Sequence, residues 1–505
     1  MNLLPMIFCA VFGMLVCWVA VSFIQTKLRF LNRSDLTQFH HAPIAPVSRL
    51  GGLALALAFI AVALVISFMF SGGGGESRIH RVIFFSSLAM FLLGFWDDLR
   101  PLGAKRKLLG QILIASAACL GGVGIQHLKN PLSGIIYELG FWGPIASVFW
   151  LVAITNLINL IDGIDGLAGG IALMLMGLLA YSGLGVDMPF TALYAAGMAG
   201  ALVGFLRFNF PPAKIYMGDG GAYFIGFLIA SLSTVNSHKG TIMTALIAPL
   251  FVLALPVTDV SLAIIRRGLR GLPLFRADRK HIHHRLIDLG LSRTRAVLVL
   301  YFICLVFLVL GFFVFWSQGR WAPALFGVAC AILLISAHSF SFSREWFSVG
   351  RVLGSSLGVR KSTQHALTLS RWLELEAERC DSVESLWADF RFLAVKLGFS
   401  SVKIVLQDGE RGWKSDHVTC SESELRHHRR TLMLHQPMEV AFTAEPQFMN
   451  NALFEHLCDL ASEAWHKSAL RWSAVNQLPF RLDSRVEPQD FGPLQRKSRA
   501  LGLHS

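Results

Sequence analysis

Charged residues are scarce in this sequence, and their scarcity excludes an ordinary soluble protein. Asp, Glu, Lys and Arg make up 15% of the 505 residues, whereas hydrophobic residues make up 54%. The mean hydropathy is +0.55. Soluble domains carry about 25% charged residues. We therefore expect most of the chain to lie in lipid.

Two further features are missing. The eight cysteines form no Cys-x-x-Cys pair, so neither a disulfide framework nor a zinc site is predicted. A cleavable signal peptide is not indicated either, because the first apolar run follows Met1 and Asn2 directly. That run has no basic segment before it and no small-residue cleavage site before Lys27. We expect it to be a retained membrane span.

Long apolar runs alternate with short polar loops over the first 340 residues. A run must cover about 30 Å of hydrocarbon to cross a bilayer. Runs of this kind lie at 3–24, 51–71, 79–96, 108–126, 143–160, 166–184, 190–208, 222–235, 241–265, 296–316 and 322–338. The pattern predicts an all-α polytopic membrane domain of about eleven transmembrane helices over residues 1–340.

Basic residues cluster in the loops that follow odd-numbered spans. After the first, third and ninth spans these are Lys27, Arg29, Arg33, Arg49, Arg100, Lys105, Arg106, Lys107, Arg266, Arg267, Arg270, Arg276, Arg279, Lys280 and Arg285. The positive-inside rule therefore places these loops in the cytoplasm and the N-terminus outside. Orientation explains the net charge of +13, and no nucleic-acid partner is predicted.

Residues 341–505 differ from the rest because charges rise and long apolar runs stop. Polar helical patterns at 371–397 and 451–471 accompany alternating segments at 401–406 and 438–442. This arrangement predicts a small cytoplasmic α+β domain. The domain loosely resembles a GAF-type sensory module and carries no chemical motif, so its role and its binding partner stay open.

Four polar clusters interrupt the apolar chain, and the charge-derived topology places all four on the cytoplasmic side. The first cluster has adjacent carboxylates, Asp97 and Asp98, at the inner end of the third span. Paired acids can hold a divalent cation or take a proton. Alternatively, they only cap the span and pair with Arg100 or Lys107. Polar residues at membrane depth are usually functional.

The second cluster, between the fifth and sixth spans, is dense in Asn, Asp and Gly. Asn156 and Asn159 are three residues apart, so they share one helical face, and Asp162 and Asp165 repeat the spacing. Oxygen ligands beside glycines suit a hard cation and a closely approaching nucleotide. The alternative interpretation is a polar helix end with turn glycines.

The third cluster, residues 208–221, ends where the eighth span begins. Asp219 can ligate a metal there while free backbone N–H groups face phosphate. Asp is also a good N-cap residue, which is the alternative. Tyr216 can stack on a base or serve as an interfacial tyrosine.

The fourth cluster is a basic loop, residues 276–285, that contains His281, His283 and His284. Arginine forks and histidine donors together can bind a polyphosphate. Topology signalling alone could explain the arginines but does not explain the histidines. Zinc is disfavoured because no Cys or further His stands at ligand spacing.

Taken together and in this order, the four clusters resemble the polyprenyl-phosphate N-acetylhexosamine-1-phosphate transferase family. The resemblance covers roughly residues 40–300, including Arg49-Leu-Gly-Gly52, and is most specific in 159–168 and the HIHHR sequence. It implies a reaction that needs magnesium, or manganese in its place. An oxygen of undecaprenyl phosphate attacks the β-phosphate of a UDP-sugar and UMP leaves. The undecaprenyl-diphosphate sugar would initiate a cell-envelope glycan such as lipopolysaccharide.

The resemblance also assigns roles to residues. Asn159 and Asp219 are the expected magnesium ligands. The other expected catalytic residues are Asp97, Asp98, Asp162, Asp165, His281, His283 and His284. The expected substrate-binding residues are Lys107, Asn156, Tyr216, Arg279 and Arg285. Asp97 and Asp98 would lie beside the attacking phosphate, one of them as a base.

The sequence of the histidine loop narrows the expected donor. It reads HIHHRLIDLGL, as in the GlcNAc-1-phosphate branch of the family, whereas the muramoyl-pentapeptide branch has adjacent histidines. The expected donor is therefore a UDP-N-acetylhexosamine such as UDP-GlcNAc. The loop at 32–41 departs from the family because it lacks an Asp-x-Pro start. That departure affects local contacts only.

Two other classes of protein fit part of the pattern. An ion-coupled transporter also carries intramembrane acids, but those lie near the bilayer midplane, whereas these lie at cytoplasmic ends. A catalytically inactive receptor that acts through its tail is disfavoured by the intact acids and histidines. We therefore expect an inner-membrane transferase with its active site and C-terminus in the cytoplasm. Whether it forms a homodimer stays open.

Overall fold

The structure of the protein is a computed structural model. The described residues are 3–27, 47–69, 75–129, 135–239, 249–254, 257–258, 286, 290–317, 320–339, 361–406, 408–416, 421, 424–434, 437–447, 449 and 451–482. The histidine loop at 276–285 and most of the predicted ninth span lie outside them. The chain divides into two compact units, one with the helices before residue 340 and one with the elements from residue 361 onward.

The described part of the first unit is almost entirely helical. Its helices are α1 (Leu4–Lys27), α2 (Gly51–Met69), α3 (Gly75–Leu99), α4 (Ala104–Leu120), α5 (Trp142–Ile161), α6 (Leu167–Gly185), α7 (Pro189–Asn209), α8 (Gly218–Lys239), α9 (Arg293–Trp316) and α10 (Ala322–Ser339). Seven helices among the described residues, all but α4, α8 and α10 of this set, are long and apolar enough to cross a membrane. A polytopic helical unit is confirmed, and the number of about eleven spans stays a prediction.

Local sequence explains where α3 and α7 begin or end. Pro101 lacks an N–H group and disfavours helical backbone at Arg100, so α3 stops at Leu99 and keeps both acids of the first cluster in its last turn. Pro189 starts α7, where a missing N–H costs nothing.

Helix α8 lies at the centre of the first unit. It packs against α2, α3, α5 and α6, and every residue from 220 to 236 is buried. Glycines allow the backbones to touch: a Cβ on Gly94 would come within 2.7 Å of Gly220 Cα, and one on Gly52 within 2.6 Å of Gly221 Cα. Small residues at helix crossings permit such an approach. The start of α8 is thereby held directly against α2 and α3.

A short β-hairpin between α4 and α5 corrects the all-α prediction. Strands β1 (His127–Lys129) and β2 (Ile136–Glu138) pair antiparallel. The predicted fourth span, 108–126, is also too long. Helix α4 ends at Leu120 because two glycines follow, the second of them with φ +105°.

The second unit is an α+β domain. Its elements are α11 (361–376), α12 (Val383–Lys396), β3 (Ser401–Leu406), β4 (Gly409–Lys414), β5 (Arg426–Met433), β6 (Pro437–Ala444) and α13 (Asn451–Asn476). The strands form an antiparallel sheet in the order β4–β3–β6–β5. The predicted C-terminal sheet is confirmed. The likeness to a GAF module stays a prediction.

The core of the second unit follows from strand alternation. Alternate residues of β3 and β6 are buried, and Val402 lies opposite Phe442. The ring centroids of Phe390 on α12 and Trp465 on α13 are 4.7 Å apart. One prediction is wrong: 371–397 is two helices, because Ser382 caps α12 by accepting a hydrogen bond from the Ser385 N–H at 3.2 Å.

Candidate active site

Three helix ends meet around one lysine. Asp97 lies in the last turn of α3, Lys107 in the first turn of α4 and Asp219 in the first turn of α8. The Lys107 ammonium forms ion pairs with both carboxylates, and its Nζ is 3.1 Å from Asp219 Oδ2. The Leu102 N–H donates to Asp97 Oδ1 at 2.6 Å. The Asp97–Lys107 pairing considered from the sequence is therefore present, and it includes Asp219.

Asp98 caps the start of α8. Its Oδ1 accepts the Asp219 N–H at 3.0 Å, and its Oδ2 accepts the Gly220 N–H at 2.9 Å. The first N–H groups of a helix lack partners within the helix, and a carboxylate there also opposes the positive end of the helix dipole. Asp98 therefore satisfies two such donors across 121 residues of sequence. Both of its oxygens are already occupied by backbone.

The acidic segment between α5 and α6 is tied to the third cluster. Asp165 Oδ2 accepts the Ala213 N–H at 3.0 Å. The Gly166 N–H donates to Asn209 Oδ1 at 3.0 Å, and Asn209 Nδ2 donates to the Ile215 carbonyl at 2.8 Å. Asn209 is buried. The second and third clusters therefore form one continuous site.

The segment before α2 pairs with the same region. The Tyr216 N–H donates to the Ser48 carbonyl at 2.8 Å, and the Gly51 N–H donates to the Tyr216 carbonyl at 2.9 Å. This pairing brings Arg49 close enough to act electrostatically on Asp98 and Asp162.

Carboxylates outnumber cations among the site residues that the structure describes. Burial and the neighbouring carboxylates of Asp219, Asp98 and Asp165 raise the pKa of Asp162 well above its usual value. Burial also raises the pKa of the Tyr216 phenol, with a further contribution from Asp165. The cations that act on this group are Lys107, Arg49 and Arg293. The described part of the site thus brings five aspartates together with three cations, and the raised pKa of Asp162 reflects this crowding of carboxylates.

The two asparagines of the second cluster have different surroundings. Asn156 donates from Nδ2 to Gln111 Oε1 at 2.6 Å, and Gln111 is buried between α4 and α5. Asn159 is partly buried, and its side-chain amide makes no hydrogen bond to any residue that the structure describes. Asn156 is therefore engaged within the protein, whereas Asn159 has its carboxamide oxygen available to a ligand.

The donor atoms at the site fit magnesium. They are carboxylate and amide oxygens, which are hard ligands, and carboxylates crowded around Asp162 favour a divalent cation. Across the described ranges, no group of three Asp, Glu, His or Cys side chains is arranged to hold a metal ion by itself. Magnesium does not need one, because it is usually bound by one or two carboxylates with water and substrate phosphates completing its shell.

The structure brings together most of the predicted site residues. The acids, Lys107 and Tyr216 lie in the connected segments described above. The predicted residues Arg279, His281, His283, His284 and Arg285 lie outside the described residues. Sequence reasoning missed Asn209 although it lies within the third cluster. It also missed Gln111 and Arg293, for which no motif gave a signal.

A known protein family matches the part of the chain that contains these aspartates. Residues 80–237 match the family model described as "Glycosyl transferase family 4". That range runs from α3 to α8 and contains all five aspartates of the site.

Several curated relatives match about half of the chain. A Bacillus subtilis protein, "Probable undecaprenyl-phosphate N-acetylglucosaminyl 1-phosphate transferase", is 36% identical over 267 residues, which are 53% of this chain and 72% of the relative. "Decaprenyl-phosphate N-acetylglucosaminephosphotransferase" of Mycobacterium tuberculosis is 32% identical over 281 residues, 51% of this chain and 70% of the relative. "Phospho-N-acetylmuramoyl-pentapeptide-transferase" of Shouchella clausii is 30% identical over 279 residues, which are 52% of this chain and 82% of the relative. The chain is thus a multi-pass membrane protein that belongs to glycosyl transferase family 4, the polyprenyl-phosphate sugar-phosphate transferases.

Proposed function

We propose that the protein transfers N-acetylhexosamine 1-phosphate, GlcNAc 1-phosphate in the first instance, from a UDP-sugar to undecaprenyl phosphate and releases UMP. The reaction takes place at the cytoplasmic face of the inner membrane and starts a cell-envelope glycan. The contact that carries the proposal is Lys107 held between Asp97 and Asp219. It joins the ends of three helices where a soluble nucleotide and a lipid phosphate can meet.

The chain's own residues supply positioning and charge. Phosphoryl transfer needs little covalent chemistry from the protein, so electrostatic stabilisation and alignment account for most of the catalysis. Lys107 is kept in place by two carboxylates and is suited to bind phosphate oxygens. Arg49 lies near the same acids and supports the diphosphate. Asp162 and Asp165 face the nucleotide, together with Tyr216.

We assign Asp97 to the part of the site that binds the acceptor, the lipid phosphate. Both oxygens of Asp98 accept backbone N–H groups of α8, so Asp98 serves to hold the start of that helix. Asp97 is bound to Lys107 through one oxygen and to the Leu102 N–H through the other. It orients the lysine beside the lipid phosphate. No aspartyl intermediate is required.

Asn159 and Asp219 would hold magnesium. Their oxygens are hard ligands, and Asn159 has no competing hydrogen bond to a described residue. Magnesium, when bound, neutralises charge on the diphosphate. The carboxylate excess around Asp162 is the feature of this chain that favours such an ion.

The test is UMP release by the purified full-length protein with undecaprenyl phosphate, magnesium and a panel of UDP-N-acetylhexosamines. Asp219→Asn is expected to lower the turnover rate by about 100-fold or more. Asp187→Asn is the matched control, because Asp187 is exposed between α6 and α7 and its φ of +54° suits asparagine. Its activity should equal that of the wild type.

The outcomes separate the parts of the proposal. UMP release from one sugar only, lost in Asp219→Asn and kept in Asp187→Asn, would support the reaction and name the donor. Activity that persists without magnesium and in the presence of a chelator would refute the metal assignment. No UMP from any sugar of the panel would refute the proposed donor class.

A further inference from the structure

Tyr301 contacts the acidic segment from a different part of the chain. It lies in the first half of α9, and its hydroxyl donates to the Gly166 carbonyl at 2.5 Å. Its ring lies against Gly170, where an added Cβ would collide with the ring. The centroid of the Phe210 ring is 6.5 Å away. A helix that belongs to none of the four polar clusters thus reaches the residue directly after Asp165.

Gly166 is the point at which this segment can turn. Its φ is +79°, a left-handed conformation that glycine adopts readily, and no side chain caps α6 there. Asn209 holds its N–H group, and Tyr301 holds its carbonyl, which also accepts the Gly170 N–H at 2.9 Å. Hydrogen bonds therefore fix the peptide groups on both sides of Gly166.

We propose that Tyr301 is a positioning residue that keeps Asp162 and Asp165 aligned for the nucleotide donor. The proposal rests on the proposed function, in which these acids face the nucleotide. A rotation at Gly166 would shift Asp165 first, because the two residues are adjacent. Small misplacements of aligned groups reduce transfer rates strongly, since alignment supplies much of the rate enhancement.

Loss of the Tyr301 hydroxyl should affect binding of the UDP-sugar donor only. Asp97 and Asp98 are held by Lys107, by the Leu102 N–H and by the start of α8. None of these contacts passes through α9. Loss of the Tyr301 hydroxyl should therefore weaken use of the UDP-sugar and leave use of the lipid phosphate unchanged.

The first variant is Tyr301→Phe, which removes one hydroxyl and keeps the ring. We expect the KM for UDP-GlcNAc to rise about tenfold and the KM for undecaprenyl phosphate to stay unchanged, with a thermal unfolding midpoint close to that of the wild type. Tyr194→Phe is the matched control, because Tyr194 is also buried in the helical unit and its hydroxyl makes no hydrogen bond to any residue in the described ranges. It should behave like the wild type.

A second variant tests the same contact from the other side. Gly170→Ala would displace the Tyr301 ring, so it should raise the KM for UDP-GlcNAc as well. The double variant Tyr301→Phe with Gly170→Ala should show no further rise, because both changes break one contact.

Each possible result either supports or refutes the positioning role of Tyr301. A tenfold rise for the donor alone supports the proposal. Equal changes in both KM values, or a change that follows a loss of thermal stability, would overturn it in favour of a purely structural role. If the wild type releases UMP and the Tyr301→Phe variant has the same KM values, the positioning role of Tyr301 is refuted and the proposed function stands. A wild type that releases no UMP would overturn the proposed function as well.

Discussion

Replacing Asp98 by asparagine tests whether this carboxylate holds the start of α8. In the wild type, its two oxygens accept the N–H groups of Asp219 and Gly220 at 3.0 and 2.9 Å. An asparagine has one acceptor oxygen, so its Nδ2 group would face the second N–H. The variant therefore keeps the shape of the side chain and removes one acceptor and one negative charge.

The expected cost follows from these two losses. A buried N–H group without a partner costs about 1–3 kcal/mol. Loss of the charge at the helix N-terminus costs about 0.3–1 kcal/mol. Together they predict a loss of about 1.3–4 kcal/mol in the free energy of unfolding. For a helical domain of about 340 residues, whose entropy of unfolding is about 0.7 kcal/mol/K, that corresponds to a fall in the unfolding midpoint of roughly 2–6 °C.

The assay is thermal unfolding of the detergent-solubilised full chain, followed by tryptophan fluorescence, beside a magnesium titration of UMP release. Because Asp219 is in the first turn of α8, a loosened start of this helix should also raise the magnesium concentration for half-maximal activity. Asp187→Asn is again the control. If Asp98→Asn unfolds at the wild-type temperature with wild-type magnesium dependence, the capping interpretation is refuted.

Two further predictions concern a helix crossing and the second unit. Gly94→Ala should lower stability by about 1–3 kcal/mol in the unfolding assay, because its Cβ would meet Gly220 Cα at 2.7 Å. Gly177→Ala, which faces open space, should cost nothing, and equal effects of the two would contradict the packing argument. Burial lowers the pKa of His466, so this residue does not destabilise the second unit above pH about 6.5 and does so increasingly as the pH falls below that value. In the full chain, a protease should therefore cleave the second unit faster at pH 5.5 than at pH 7.5. The difference between the two rates should be smaller in His466→Gln. Equal rates at both pH values in the wild type would refute this role of His466.

The sequence was informative where a residue pattern repeats or where polar groups interrupt an apolar run. Apolar length predicts most helices of the first unit, and the bounds of β3 agree with the alternating segment at 401–406. Asp97, Asp98 and Asp219 stand out because a charge at the end of a membrane span is costly unless it has a use. The three side chains do lie together in the structure, and the cytoplasmic side assigned to them from loop charge stays a prediction.

The contacts that join the clusters could not be predicted in this way. Tyr301 is one aromatic residue among many on an apolar helix, and only the folded chain shows that its hydroxyl meets Gly166. Gln111 is similarly inconspicuous until it pairs with Asn156. The break before Val383 was missed because 371–397 has a continuous helical composition, and one serine cap decides where the second helix starts.

The distance along the chain between Asp98 and α8 has a consequence for biogenesis. The carboxylate and the N–H groups that it accepts are 121 and 122 residues apart. Synthesis at about 5–20 residues per second means that α3 emerges roughly 6–24 seconds before its partner. During that interval the acidic end of α3 is in the nascent chain without the helix that later covers it. Insertion of α8 is thus the event that gives Asp98 its partners and brings Asp219 to Lys107. A ribosome stalled between these helices would leave the Asp98 carboxylate without the N–H groups that it accepts in the folded protein.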